Sequence, residues 1–506
     1  MGKFLGFKLQ NEIQWVKQAR GFVSNGAAQS VKCLKSDQDA LINFKNGLED
    51  PKNRLLSWQG SNCCQWSGIS CENSTGAVVT VDLHNPHPSG SDSSGRYGFW
   101  NLSGEIRPSL VKLKSLRYLD LSFNTFNGIP IPIFFGSLEN LQYLNLSNAG
   151  FSGTIPPNLG NLSSLEYLDV KLSTLTVDNL EWMAGLVSLK HLTMNEVDLS
   201  MVGSDSGPAQ WNSTWLGELP NLRTLNFAGN NNLTASCFQL FEGTWKKIEV
   251  LDLASNKLRG ELPTSFGSMT SLTHVDLFAN NVEGGIPSSI DWLGQLKNLV
   301  QLDLEYNSLQ GPIPTSLGSL LHLTELGLGG NQLNGTLPES LGQLSELFYF
   351  DVSSNHLTGI VNESHFSKLT KLKFLHLSSN SFTLNFSSNW APPFQIQYLD
   401  MGSCHLGPSF PTWLKSQEQV TYLDFSNASI SDVDLSSNLF EGPISLPVVA
   451  IELLDLSNNR FSGPIPINMG AYMHNQIFLS VSSSNITGNI PASLGELNSM
   501  IFRATT

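Results

Sequence analysis

Charge is scarce in this chain. Asp, Glu, Lys and Arg together make up 14% of its 506 residues, and 28 basic against 42 acidic side chains leave a formal net charge of −14. Too few Lys and Arg are available for a phosphate-binding face, which excludes nucleic acid as the main partner. The composition is also not that of a disordered chain. Long apolar runs are missing: no stretch approaches about 18 apolar residues, so no membrane span is expected. Residues 1–32 lack the apolar run of about 7–15 residues that an export signal needs, because Lys8, Gln10, Asn11, Glu12, Lys17 and Arg20 interrupt it. Position 6 is Gly6 rather than Ser or Thr, so Met1-Gly2 does not open a myristoylation motif. Residues 1–32 are read as a poorly ordered leader. Catalytic phrases are absent as well. Gly327-Leu328-Gly329-Gly330 has Gln332 where a dinucleotide loop needs its third glycine, and no H-E-x-x-H, G-x-S-x-G or Walker phrase occurs. No enzyme, cofactor or metal is expected.

Cysteine is sparse but placed with a pattern. Of six, Cys33, Cys63, Cys64 and Cys71 fall within the first 71 residues, while Cys237 and Cys404 stand alone. A disulfide-stapled segment in an oxidising compartment is the reading; a zinc site has no matching His pair, since His84 and His87 lie in a Pro-containing loop. Eleven Asn-x-Ser/Thr sequons agree with an extracellular surface: Asn73, Asn101, Asn145, Asn161, Asn212, Asn232, Asn334, Asn362, Asn385, Asn427 and Asn485.

What is abundant is repetition. Leu302 to Pro314 reads L-x-L-x-x-N-x-L-x-G-x-I-P, and the phrase returns at Leu326–Pro338 and, earlier, at Leu251–Pro263. Leu302, Leu326 and Phe350 are spaced by 24 residues. Self-similarity at this period marks a solenoid, and the consensus marks leucine-rich repeats. A solenoid grows by adding coils rather than cores. Each repeat supplies one short strand, so stacked coils form a parallel sheet with neighbours about 4.8 Å apart. The Asn three places after the last strand Leu, as in Asn307, Asn331 and Asn355, is placed to hydrogen-bond adjacent turns; Cys404 occupies the same column. An open coil needs a cap. Residues 33–85 supply one: Ser36 and Asp39 form a capping-box-like start, Ala40, Leu41, Phe44 and Leu48 share a helix face, and Pro51 ends the helix.

Gly153-Thr154-Ile155-Pro156, Gly311-Pro312-Ile313-Pro314 and Gly463-Pro464-Ile465-Pro466 repeat a G-x-I-P tail that turns toward the convex side. With this tail the chain resembles the plant-specific class of leucine-rich repeat. Cys63-Cys64-x-Trp66-x-Gly68-Ile69-x-Cys71 resembles the N-terminal cap of that class. Leu384-Asn385-Phe386-Ser387-Ser388-Asn389-Trp390-Ala391-Pro392-Pro393-Phe394 resembles a stretch of plant receptor-like proteins, including the fungal-xylanase receptors. The resemblance runs from about residue 33 to 500. It implies an α/β solenoid with a concave parallel β-sheet, short convex turns or 3-10 segments and a helical disulfide N-cap, with Cys33 paired to Cys63 and Cys64 to Cys71.

Repeats are expected over 86–432 and again over 433–506. The 10-residue step from Leu423 to Val433 cannot complete a coil, so a strand at Val433 and Leu435 should follow almost at once, across a junction that has lost sequence. The 33-residue step from Leu192 to Leu225 holds a surface loop around Gly203–Trp211. The chain reads as a truncated ectodomain portion without a C-terminal cap.

Asp120, Asp169, Asp252, Asp276, Asp303, Asp351, Asp400, Asp424 and Asp455 fill one slot of the repeat and are expected to face solvent as part of the consensus. Residues that break the consensus on the exposed strand face are free to read a partner: Lys171, His191, Asn195, Glu196, Phe278, Glu305, Tyr306, Glu325, Tyr349, Phe374 and His376. The function implied is an extracellular ligand-binding module of a plant cell-surface receptor-like protein, recognising a peptide, protein or glycan elicitor in defence or development. The resemblance implies plasma-membrane or extracellular location and signalling through a partner receptor kinase. A soluble inhibitor of microbial cell-wall hydrolases, similar to the polygalacturonase-inhibiting proteins, and a non-functional receptor fragment are the alternatives.

Overall fold

Ala40, Leu41 and Phe44, at helical spacing, are all buried on one side of the helix Lys35–Lys45. The expected capping box does not form. The helix begins at Lys35, with Leu34 at its N-cap, so Ser36 lies inside the first turn and its Oγ bonds Asp37 Oδ1 instead (2.9 Å). Buried Asp37 accepts the N–H of Val78 at 2.9 Å and ties the helix to the strand Val78–Asp82. Nor does Pro51 end the helix, which stops at Lys45; Leu48–Glu49 turns away to pair antiparallel with Ser103–Gly104. Cys33–Cys63 and Cys64–Cys71 are bonded, with Cα separations of 5.3 and 5.4 Å. Trp58 and Trp66 stack beside them at 5.5 Å, each indole N–H donating to a backbone carbonyl.

This computed structural model describes residues 31–88, 100–172, 174–200, 219–230, 232–241, 245, 247–286, 295–406, 411–417, 419–424, 441–442, 453–457, 460–467, 469, 478–495 and 501–503. Residues 1–30 of the leader expected over 1–32, the loop around Gly203–Trp211 and the strand at Val433 and Leu435 lie outside these residues. The chain divides into two units, the first holding 1–234 and 242–248, the second 235–241 and 249–506.

The first unit holds a sheet of seven strands: Ile69–Cys71, Val78–Asp82, Tyr118–Asp120, Tyr143–Asn145, Tyr167–Asp169, His191–Thr193 and Thr224–Asn226. The pairing is parallel throughout except at the first pair. In the second unit a parallel ladder runs in register from Val250–Asp252 through Gln301–Asp303 and Tyr349–Asp351 to Ile501–Arg503. The central residue of the strand is fully buried at Leu251, Leu326, Phe350 and Leu399. Such short strands hold because each coil buries the apolar residues of its neighbour.

Where the chain leaves the strand its amides need partners, and the Asn column supplies them. Asn355 Oδ1 accepts from Leu333 N (2.9 Å), while its Nδ2 donates to Leu328 O (3.0 Å) and Val352 O (3.1 Å). Cys404 does part of the same work, Sγ to Leu377 O at 3.4 Å, and is buried with Cys237 as a free thiol. The G-x-I-P tail contains a feature beyond a simple bend. In the second unit Arg259–Glu261, Asn281–Gly285, Ser308–Pro312, Gln332–Thr336, His356–Val361 and Ser381–Leu384 form a second parallel sheet. The Pro that follows opens a 3-10 segment, as Pro314 does for Thr315–Ser319.

One expectation is corrected here. The Asp column does not face solvent: Asp120, Asp169, Asp252, Asp303 and Asp351 are buried. Each carboxylate folds back to accept the N–H two residues on, as Asp303 does from Glu305 (3.0 Å) and Asp351 from Ser353 (2.8 Å). The short side chain closes the strand end, which is why this slot asks for Asp. At the 10-residue step, the long sheet passes from Tyr422–Asp424 directly to Leu453–Asp455, with Tyr422 opposite Leu453. Among the described residues, Glu441–Gly442 joins Arg460–Gly463 in a second-sheet pairing.

Candidate functional site

In the first unit the open strand face is closed by ring stacking. Tyr118, Tyr143, Tyr167 and His191 occupy the same strand position in successive coils and stack at 4.1, 4.3 and 4.4 Å. The three tyrosines are buried as a result. His191 caps the stack; burial pushes its imidazole down to about 4, and its Nδ1 is buried without a hydrogen bond. The residue is half-buried, and its ring is held neutral in the stack. Asn195 is withdrawn: it is buried, and its Oδ1 accepts from Ala228 N at 3.2 Å. Lys171 and Glu196 do reach the surface, paired at 3.3 Å. Near the cap, donor atoms of Asp82, His84 and Asp120 lie within 4.8 Å of one another, with His84 Nδ1 2.5 Å from Asp82 Oδ1. Asp120 is already engaged by Ser122 N and Oγ, so this group reads as an ion pair built on the Asp column rather than a metal centre.

The second unit gathers the remaining candidates around one glycine-rich coil. Gly327, Gly329 and Gly330 leave a gap in the strand face. Glu305 leans in from the preceding coil and Asp351 from the following one: a Cβ on Gly327 would stand 2.5 Å from Glu305 Oε1, and one on Gly329 2.6 Å from Asp351 Oδ1. The phenol of Tyr349 lies between the two carboxylates, 3.0 Å from Glu305 Oε1 and 3.2 Å from Asp351 Oδ2. One hydroxyl proton cannot serve two carboxylates fully. Burial, with Asp351 adding repulsion, raises Glu305 to about 8, and burial next to Glu305 holds Asp303 well above the usual carboxylate range. Burial also raises the Tyr349 phenol. The Tyr349 hydroxyl thus stays protonated as a donor. His376 completes this side, its ring stacked on Tyr398 at 4.5 Å and its Nδ1 3.9 Å from Asp351 Oδ2.

Beside this network stands an aromatic shelf. Tyr306 is 60% exposed, and its backbone is left-handed, with φ of 54°. In the second unit the same turn position holds Ser255, Ala279, Ser354, Ser379 and Ser403, also at positive φ, and in the first unit Phe123 takes it at a φ of 57°. A bulky aromatic residue there is unusual and not required by the coil. The ring of Phe278 meets Tyr306 edge-on at 5.3 Å. Of the other candidates, Glu325 is half-buried at the start of the strand Glu325–Gly327, next to the glycine gap. Phe374 is half-buried and packs against Phe348, Tyr349 and Tyr398 at 5.2 to 6.4 Å. The Glu305–Tyr349–Asp351 bridge and the Phe278–Tyr306 shelf had no signature in any single repeat. Their signal is the coincidence of three glycines in one coil with large residues in its neighbours.

Comparison with known proteins agrees with this architecture. Profiles described as leucine rich repeat N-terminal domain, leucine-rich repeat region and leucine rich repeat match residues 34–72, 243–437, and 115–137, 140–162 and 450–471, respectively. Receptor-like protein EIX1 of Solanum lycopersicum is 35% identical over 521 residues, covering 79% of this chain and 50% of that protein. Receptor-like protein EIX2 of the same plant is 32% identical, covering 91% and 55%. The solved ectodomain of the Arabidopsis receptor kinase HAESA, in complex with an N-terminally extended IDA peptide hormone, superposes with a TM-score of 0.75 at 29% identity, covering 93% of this chain and 77% of that one. Repeats, cap and relatives together define a leucine-rich repeat protein of the plant-specific class. The chain belongs to the plant receptor-like proteins. It spans about half the length of the curated relatives it matches. Among the described residues, no helix is long and apolar enough to cross a membrane.

Proposed function

We infer that this chain is the extracellular ligand-reading part of a plant cell-surface receptor-like protein, and that it binds a peptide, protein or glycan elicitor on the strand face of its second unit. The observation that carries this reading is Tyr306: an exposed ring at a turn position where neighbouring repeats hold small residues, set beside the buried Glu305–Tyr349–Asp351 bridge. Exposed aromatic area next to fixed polar groups is the composition of binding hot spots. A peptide ligand is favoured by the solved HAESA ectodomain, which holds one. Signalling is then assigned to a partner receptor kinase, because the reading gives this chain recognition and no chemistry.

The test is titration of candidate elicitors, peptides first, against wild type and Tyr306→Ala, with circular dichroism to confirm the fold. A loss of roughly 1–3 kcal/mol in affinity is expected for an aromatic hot spot. Equal affinities remove Tyr306 from the site; loss of binding by Lys171→Ala instead moves the site to the first unit.

A further inference from the structure

Six of the described sequons fall into two chemical states. At Asn161, Asn334, Asn385 and Asn485 the residue is exposed, and among the described residues its side-chain amide makes no hydrogen bond. Asn101 and Asn145 are half-buried, and their amide nitrogens are committed to side-chain hydrogen bonds of the fold. Asn145 sits in the Asp slot of the strand Tyr143–Asn145; its Oδ1 accepts from Ser147 N (3.0 Å) and Ser147 Oγ (2.7 Å), and its Nδ2 donates to Tyr143 Oη (3.3 Å), whose ring is buried in the tyrosine stack. Asn101 Nδ2 donates to Thr125 Oγ1, while its Oδ1 accepts from the buried Asn85 at 2.7 Å.

N-glycosylation forms a bond from Asn Nδ2 to the anomeric carbon of an oligosaccharide carried on a lipid diphosphate. The carbon–oxygen bond to the diphosphate breaks, the lipid diphosphate leaves, and Nδ2 loses one proton. At the exposed amides the sugar projects into solvent. At Asn101 and Asn145 it would need room inside a hydrogen-bonded cluster, and a coil so modified could not close on its neighbours. We propose that the folded protein carries N-linked glycans at Asn161, Asn334, Asn385 and Asn485 and none at Asn101 or Asn145.

The positions have a consequence for access. Asn334 and Asn485 lie in second-sheet strands, Gln332–Thr336 and Asn485–Ile486, and Asn385 directly follows Ser381–Leu384. No described strand of the long sheet in the second unit contains a sequon. Sugar therefore lines the second-sheet flank and leaves the strands of Glu305, Tyr306 and Tyr349 bare.

The experiment maps occupied sites on the full 506-residue chain, produced in plant cells behind a heterologous secretion signal. The protease-resistant fraction, secreted or retained, is released with peptide-N-glycosidase A in ¹⁸O water, and labelled Asp is located by peptide mass spectrometry. Label at the four exposed sites with none at Asn101 and Asn145 is the result expected. Label at Asn101 or Asn145 in that fraction, or an unlabelled Asn334, overturns the assignment. N145Q adds a second reading: it should leave the glycan count unchanged, whereas N334Q should lower it by one. The proposal shares with the functional reading only the secretory route, which the added signal supplies, so a failure to bind elicitors leaves it standing.

Discussion

The ring of Tyr306 lies over Gly330 of the next coil: a Cβ on that glycine would stand 2.9 Å from Tyr306 Cδ1. Gly330 also has a φ of 65°, so it serves both its own turn and its neighbour's ring. Gly330→Ala should cost about 1–2 kcal/mol in denaturant unfolding, part from the left-handed backbone and part from the displaced ring. The two parts are separable. In a Tyr306→Ala background only the backbone part remains, so a double-mutant cycle should show a coupling of about 0.5–1 kcal/mol. Strict additivity would mean that Tyr306 does not rest on Gly330.

Glu305 makes the second unit sensitive to pH. Its folded value is raised to about 8 by burial and by Asp351, whereas an unfolded Glu titrates near 4.3. The folded state therefore binds the proton more tightly. The stability this contributes is fully present below about pH 4.3 and is lost as pH rises through about 8. Groups facing Glu305 are Asp276 on the coil before, Asp303 on its own coil, the Gly327 backbone, and Tyr349 and Asp351 two coils on. Glu305→Gln keeps an acceptor for Tyr349 and removes the charge. Thermal melts of both proteins at pH 5 and pH 8 should show the variant gaining about 1–3 kcal/mol at pH 8 and little at pH 5. Parallel pH curves would show that Glu305 titrates as an ordinary carboxylate.

The Asn column predicts a graded loss. Asn355→Ala leaves Leu333 N and Leu328 O buried without their side-chain partner. A cost of about 2–4 kcal/mol follows from two such groups. Cys404→Ala removes a single weak bond, to Leu377 O at 3.4 Å, and should cost about 1 kcal/mol. Urea unfolding of the two variants side by side checks the order; a Cys404 variant as unstable as Asn355→Ala would sink the assignment.

These cases show where the sequence was legible. Asn355 and Cys404 were readable because the ladder is periodic, and one spacing rule places every member. The disulfide cap was readable because four cysteines and a resemblance agree. Asp303 was misread because alternation says which way a residue starts, while its short carboxylate turns back to the amide two places on. Asn195 is buried where an exposed side chain was expected, because its Oδ1 turns to accept from Ala228 N. Tyr306, Glu305 and Tyr349 interact across coils 24 residues apart, through Gly327 and Gly330. That relation involves three repeats at once, and no single repeat carries it.

The joint between Tyr422 and Leu453 is the sharpest structural claim. If the phrase at Val433 and Leu435 supplied its own strand to the long sheet, that strand would lie between Tyr422–Asp424 and Leu453–Asp455. Tyr422 and Leu453 would then be about 9.6 Å apart, two strand spacings. The observed register instead places them directly opposite each other, at a single spacing of about 4.8 Å. Disulfides form at Cα separations of about 4.4–6.8 Å and not across two strands. The double variant Tyr422→Cys/Leu453→Cys should therefore cross-link on mild oxidation, with Cys237 and Cys404 remaining reduced because both are buried. Non-reducing peptide mapping reads the result. A link joining peptides of residues 422 and 453 supports direct pairing of the two strands. Two free thiols there, together with a link in Tyr422→Cys/Val433→Cys, would restore an intervening strand and with it an ordinary repeat at the junction.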